Sequence, residues 1–195
     1  MPRPREFDET RVLDAAMHCF WHQGYESTSV RTLARSMNLT SASLYNTFGD
    51  KRTLYQQALA RYVQTGFEER VRRFEQQPPR AALRAFFEDV VERSLRDDEH
   101  KGCLLVNSAL ELAPHDPDFQ RAINAVLRRV EAFFLRCAKA GQRDGSIADR
   151  HAATDLARFL LGVLMGIRVL ARTRPEPALL RGLIKPALAL LDDDA

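Results

Sequence analysis

Residues 31–48 read Arg31-Thr32-Leu33-Ala34-Arg35-Ser36-Met37-Asn38-Leu39-Thr40-Ser41-Ala42-Ser43-Leu44-Tyr45-Asn46-Thr47-Phe48. With Val30, the residues Leu33, Ala34 and Met37 recur at helical spacing on one face. Asn38 then stands where that helix must end, at a position that tolerates left-handed backbone geometry. Thr40 or Ser41 can cap a second short helix that runs through Phe48, with Gly49 behind it as a stop. Two short helices joined by a tight turn, with a third packed across them, are the parts of a helix-turn-helix head. The outer side of the second helix is small and polar: Thr40, Ser41, Ser43, Asn46 and Thr47. A helix of this size spans about 12 Å and matches one face of a DNA major groove. A helical hairpin with no such role shares the layout, so spacing alone leaves both readings open.

The flanks extend the same pattern. A first helix is predicted from about Asp8 to His22, with Leu13, Ala16, Met17 and Phe20 inward and Gly24 as its stop. Thr28 or Ser29 caps the helix that carries Leu33, and Asp50 caps a longer fourth helix with Leu54, Tyr55, Ala58 and Tyr62 as its stripe. Gln76-Gln77-Pro78-Pro79 is the clearest break, because two successive prolines cannot continue a helix. Five further helices follow: 81–96, 102–113, 118–142, 149–173 and 176–191, the last with Pro186 as an expected kink. No segment shows the sustained alternation of a half-buried strand. The expectation is an all-α fold of about nine helices. It divides into a head over 1–60 and a body over 61–195, with the helix from Asp50 connecting them.

Beyond spacing, two runs are more specific. They are Gly24-Tyr25-Glu26-Ser27-Thr28-Ser29-Val30-Arg31-Thr32-Leu33-Ala34, and the stretch from Leu39 to Leu54. Together they resemble the head of the TetR family of bacterial transcriptional regulators. The pattern Leu44, Tyr45, Phe48, Lys51 and Leu54 is the most distinctive part, and the similarity is close over about residues 8–60. The body segment Lys101-Gly102-Cys103-Leu104-Leu105-Val106-Asn107-Ser108-Ala109-Leu110-Glu111 is similar to one found in several such regulators. The resemblance implies that Ser41, Ala42, Ser43 and Asn46 face the major groove. It implies that Thr28, Thr40, Tyr45, Thr47 and Lys51 mainly hold phosphates, which set register while base-edge contacts set sequence preference. Lys51 also starts a helix, where backbone amides already favour an anion. Family members usually have Gly where this chain has Asn38, and often where it has Ala42. Leu33, Ala34, Leu44 and Phe48 suit the core instead, and Tyr45 suits either role.

Composition agrees without deciding. The net charge of +3 permits nucleic-acid binding but does not require it. From Val30 to Glu75 eight Arg and Lys residues face four Asp and Glu, a local +4, while the chain ends on Asp192-Asp193-Asp194. No run of apolar residues is long enough for a transmembrane span. The opening Met1-Pro2-Arg3-Pro4-Arg5-Glu6 has basic residues but no apolar stretch behind them, so no secretory signal is expected. Cys19, Cys103 and Cys137 are odd in number and widely spaced, which fits a reducing, cytoplasmic setting. Zincin, P-loop, nucleophile-elbow and Glu-x-x-His signatures are missing, so neither an enzyme nor a metal or other cofactor is expected.

The body offers less. Helix-turn-helix proteins read paired half-sites, so a symmetric dimer is expected, with the last two helices as its interface. Gly162 and Gly166 lie four apart on one face of the helix over 149–173, which suits close helix approach or internal packing. The resemblance implies a small-molecule effector within the body and repression released by it. Phe86, Phe87, Phe119, Phe133, Phe134 and Met165 are the candidates to line an apolar pocket, although stripes at this spacing equally suit an ordinary core. Cys103 follows Lys101-Gly102 at a helix start, where a dipole and an ammonium would activate a thiol. A sensor thiol, a metal ligand with His100, and a small buried hydrophobe are its three readings.

Overall fold

The computed structural model describes residues 8–192; the basic run at 1–6 and the acidic Asp193 and Asp194 lie outside the described residues. Among the described residues there is no strand. The head comprises α1 (Glu9–Gln23), α2 (Val30–Ser36), α3 (Ser41–Phe48) and α4 (Lys51–Val63). α4 passes without a break through a π-helical turn (Gln64–Glu68) into α5 (Glu69–Phe74). The remaining helices are α6 (Pro79–Leu95), α7 (Leu104–Glu111), α8 (Pro117–Asp144), α9 (Ala153–Thr173) and α10 (Pro177–Ala189). With α4, the π turn and α5 counted as one rod, nine helical rods result among the described residues, in an all-α fold.

Local chemistry sets the boundaries. Asp8, Ser29, Thr40, Asp50 and Asp116 are the N-caps of α1, α2, α3, α4 and α8, each accepting from backbone N–H groups of the first turn. Such a cap stabilises its helix by about 1 kcal/mol. Ser29, not Thr28, caps α2, because Thr28 is buried and donates its hydroxyl to the Gly24 carbonyl. Gly24 ends α1 at φ 84°, and Asn38 takes the left-handed turn between α2 and α3 at φ 52°. The Pro78-Pro79 break also works forwards, since Pro79 occupies the first position of α6, where its missing N–H costs nothing. α9 begins at Ala153, four residues later than the sequence suggests, and Gly102 and Cys103 precede α7 rather than starting it.

Two buried clusters organise the packing. One joins α1–α4 to α7 and the start of α8 through Phe20, Leu33, Leu44, Leu54, Tyr55 and Phe119. The other joins α6, α8, α9 and α10 through Phe86, Phe87, Phe133, Phe134, Leu160 and Leu180. α8 serves both, because its 28 residues extend about 42 Å at 1.5 Å per residue. Phe67, in the π turn, and Met165, on α9, pack against both clusters. No helix among the described residues is long and apolar enough to cross a membrane.

Candidate nucleic-acid interface and junction cavity

α3 presents its small polar residues outward. Leu44 and Phe48 are buried against the head core, which turns Ser41, Ala42, Tyr45 and Asn46 into solvent. Tyr45 is half exposed at 50%, a large exposure for a ring of its size. Thr40 remains exposed while its Oγ1 accepts from the Ser43 amide and donates to the Ser43 hydroxyl. Ser43 and Thr47 are partly exposed at the edge of the same face. Thr28 differs from its neighbours: its hydroxyl holds the 24–28 loop and does not reach solvent. Beside α3, Arg31 and Arg35 of α2 are exposed and take part in no ion pair among the described residues. Their signal in the sequence was only charge.

Lys51 sits at the first position of α4 with its ammonium 4.3 Å from the centre of the Tyr25 ring. Its Nζ also donates to the Glu26 carbonyl at 3.4 Å. The loop it touches is gripped from the body. Glu111, the last residue of α7, accepts from the Tyr25 N–H at 3.2 Å and from the Glu26 N–H at 2.8 Å. Arg52 bridges from α4 to Asp116 and Asp118 at the start of α8, at 2.9 and 2.8 Å. Tyr55 completes the junction. Ser108 gives its proton to the Leu104 carbonyl, so the Tyr55 hydroxyl donates to Ser108 Oγ at 2.8 Å. Burial pushes the Tyr55 phenol up to about 12, with the Ser108 bond opposing part of that rise.

A cavity of about 210 Å³ lies where the two clusters meet. α1 contributes Met17 and Trp21, and the connecting rod contributes Tyr62, Thr65, Phe67 and Arg70. The body closes it with residues of α6, α8 and α9 and with Gly102 and Cys103. The π turn is part of the wall, with the Thr65 hydroxyl donating to the Arg61 carbonyl inside it. Irregular turns of this kind recur at functional positions in helices. Of the pocket candidates, Phe86, Cys103 and Met165 line this cavity. Phe87 and Phe134 are buried in the body core, stacked at 5.5 Å. Phe133 packs in that core with an edge on a shallow groove beside Cys137. Phe119 lies in the head cluster, edge-on to Tyr55 at 5.6 Å.

Cys103 is buried on the cavity wall immediately before α7. Lys101 does not attend it: its ammonium is 3.0 Å from Asp97, pairs also with Glu99, and lies over the Trp21 ring. His100 is exposed, and no group of three or more His, Cys, Asp or Glu among the described residues is placed to hold a metal ion. Cys19 and Cys137 are buried, and burial raises both thiols, Cys137 to about 11.

Comparison with known proteins places this geometry. Residues 79–185 match the model of a Tetracyclin repressor-like C-terminal domain, and residues 12–58 match that of the bacterial regulatory proteins of the tetR family. The chain belongs to the TetR family. A Bacillus subtilis relative, the uncharacterized HTH-type transcriptional regulator YezE, is 32% identical over 98% of this chain and 100% of its own. The HTH-type transcriptional repressor ComR of Escherichia coli is 30% identical, covering 87% of this chain and 82% of that one. Among solved structures, a cysteine mutant of the TetR family regulator CifR, complexed with 26-base-pair operator DNA, superposes with a TM-score of 0.87. It is 30% identical and covers 97% of this chain and 100% of that chain. As a TetR-family member this chain is a DNA-binding transcriptional regulator.

Proposed function

We propose that the chain is a cytoplasmic repressor whose homodimer leaves its operator when a small-molecule or redox signal reaches the body. The observation that carries this reading is the junction cavity: an occupant would touch Trp21 of the head and Cys103 of the body at once. α7 gives the link a physical form. Cys103 lies at its entrance on the cavity wall, and Glu111 at its end holds the head loop through two backbone amides. A displaced α7 therefore carries the loop beside Lys51 with it. The division assigned is a head over 1–60 and a body over 61–195. Ser41, Ala42, Ser43 and Asn46 are assigned to base edges, and Thr40, Tyr45, Thr47 and Lys51 to phosphates.

The last two helices are assigned the dimer interface. On α9, Phe159 is 44% and Val169 43% exposed, and Leu190, just past the end of α10, is exposed as well. Cβ atoms built at Gly162, Gly166 or Gly182 would meet nothing within 4 Å. Internal packing therefore does not account for the Gly162–Gly166 pair, and an approaching partner helix does. The test is a gel shift with DNA upstream of the chain's own gene and of the neighbouring genes. Saturable binding to one such segment over unrelated DNA is expected, as is a dimer mass by light scattering at micromolar concentration. Equal binding to every DNA would refute the assignment.

A further inference from the structure

The junction cavity has an apolar floor and an unbalanced charge. Val63, Leu105, Val126, Val130 and Leu164 supply the floor. Three arginines line the walls, Arg70, Arg93 and Arg168, against one lining carboxylate, Asp97. Asp97 is already taken up by Lys101, through its ammonium at 3.0 Å and its backbone N–H at 2.7 Å. Asp89, just outside the lining, is shared among Arg70 at 2.7 Å, Arg93 at 2.9 Å and Arg73 at 3.6 Å. No carboxylate among the described residues lies within ion-pair distance of Arg168. Among the described residues its Nη1 donates to a neutral oxygen, Ser94 Oγ at 3.2 Å, and that hydroxyl donates in turn to the Val90 carbonyl. Arg70 is buried, with only 8% of its surface exposed. Burial depresses its basicity, and the charge of Arg168 depresses it further. Arg70 and the exposed Arg93 share Asp89. The partly buried Arg168 is therefore the wall cation that lacks a carboxylate among the described residues, and a ligand that brings a negative charge supplies it.

One neutral donor on the wall adds to this. Among the described residues the Trp21 indole N–H is buried without a partner, and a buried unmet donor costs about 1–3 kcal/mol. Trp21 and Tyr62, both on the cavity wall, meet edge to face at 4.9 Å, and the Tyr62 hydroxyl is in hydrogen-bond contact with Cys103 on the same wall.

We infer that the cavity takes a small organic anion, a carboxylate or similar oxyanion on an apolar body, with Arg168 as its charge anchor. The inference rests on the cavity being the effector site proposed above and names the class of its ligand. The anion gives Arg168 a carboxylate partner of opposite charge in addition to the Ser94 hydroxyl, and the apolar body covers the floor. Recognition by Arg168 also ties the ligand to α9, the helix assigned to the dimer.

The probe is octanoate, set against its neutral and cationic counterparts 1-octanol and octylammonium. The readout is the emission of Trp21, the chain's sole tryptophan, in the full-length protein at pH 7. Octanoate is expected to act at a concentration at least about tenfold lower than either counterpart, as one charge-assisted bond allows. Arg168→Met should abolish that preference while Arg168→Lys keeps most of it. Thermal unfolding of both variants confirms that they fold. Equal or stronger binding of 1-octanol or octylammonium, no response to any of the three, or an undiminished preference in Arg168→Met would overturn the inference. Operator binding is measured separately by gel shift. Octanoate binding that leaves the operator complex intact would sink the effector role and leave the charge preference standing.

Discussion

Glu111 joins the body to the DNA-binding head through two hydrogen bonds, and Glu111→Gln tests that joint with almost no change of shape. In the parent, Oε1 accepts from the Glu26 N–H at 2.8 Å and Oε2 from the Tyr25 N–H at 3.2 Å. Glutamine keeps one acceptor oxygen and turns the other into an NH2 group. That group faces a backbone donor, so one bond is lost and the remaining one loses its charge. Hydrogen bonds to charged groups contribute roughly 1.5–3 kcal/mol each, against roughly 0.5–1.5 for neutral ones. Glu26 is exposed, so water recovers part of the loss there. A net destabilisation of about 2 kcal/mol follows. For a chain of this length that lowers the melting temperature by about 4–8 °C. Calorimetry reads the melting temperature, and fluorescence anisotropy with labelled operator reads the consequence for the head. Operator affinity should fall along with stability, because the loop beside Lys51 is no longer held. A variant that melts within a degree of the parent and binds operator equally would refute the view that Glu111 couples α7 to the head.

Three further outcomes are expected. Lys51→Ala should weaken binding to all DNA sequences alike and reduce the salt slope by about 1 per protomer, whereas Asn46→Ala should relax base preference; a parent-like salt dependence in Lys51→Ala would remove it from the phosphate contacts. Phe159→Glu, at an exposed position on α9, should convert the dimer to a folded monomer by light scattering, and a dimer that persists would move the interface elsewhere. Tyr55→Phe should cost about 1 kcal/mol at pH 7 for one hydrogen bond. The folded phenol titrates at about 12 against an ordinary 10. Its contribution is therefore complete below pH 10 and is lost as pH rises from 10 towards 12. Because each pKa unit is worth about 1.4 kcal/mol, urea melts across that interval should close the gap and then turn it in the variant's favour, and a gap that stays constant to pH 11.5 would contradict the burial of Tyr55.

Much of the head was legible because its signals are local. Ser29, Thr40 and Asp50 mark helix starts through their own side chains, and Gly24, Asn38 and Gly49 mark the ends through φ. The outward face of α3 followed directly, since burying Leu44 and Phe48 leaves Ser41, Ala42, Tyr45 and Asn46 no other side to occupy. Thr28 escaped because its hydroxyl had two partners within reach, solvent phosphate or the Gly24 carbonyl. Only the path of the loop chose the second.

The body shows where such reading stops. Phe119 and Phe133 have the same helical periodicity on α8, yet one joins the head cluster and the other the body core, because a helix about 42 Å long outlasts either cluster. Lys101 stands two residues from Cys103, but Asp97 and Glu99 hold its ammonium away from any role at the thiol. Trp21, Tyr62, Arg70, Ser94 and Arg168 come from four separate parts of the chain and converge only once those helices pack. Helix type, limits and inward faces are written in neighbouring residues, where capping and periodicity act. Which inward faces meet without filling the space between them, and which arginine is left there without a carboxylate, depends on the crossing of whole helices.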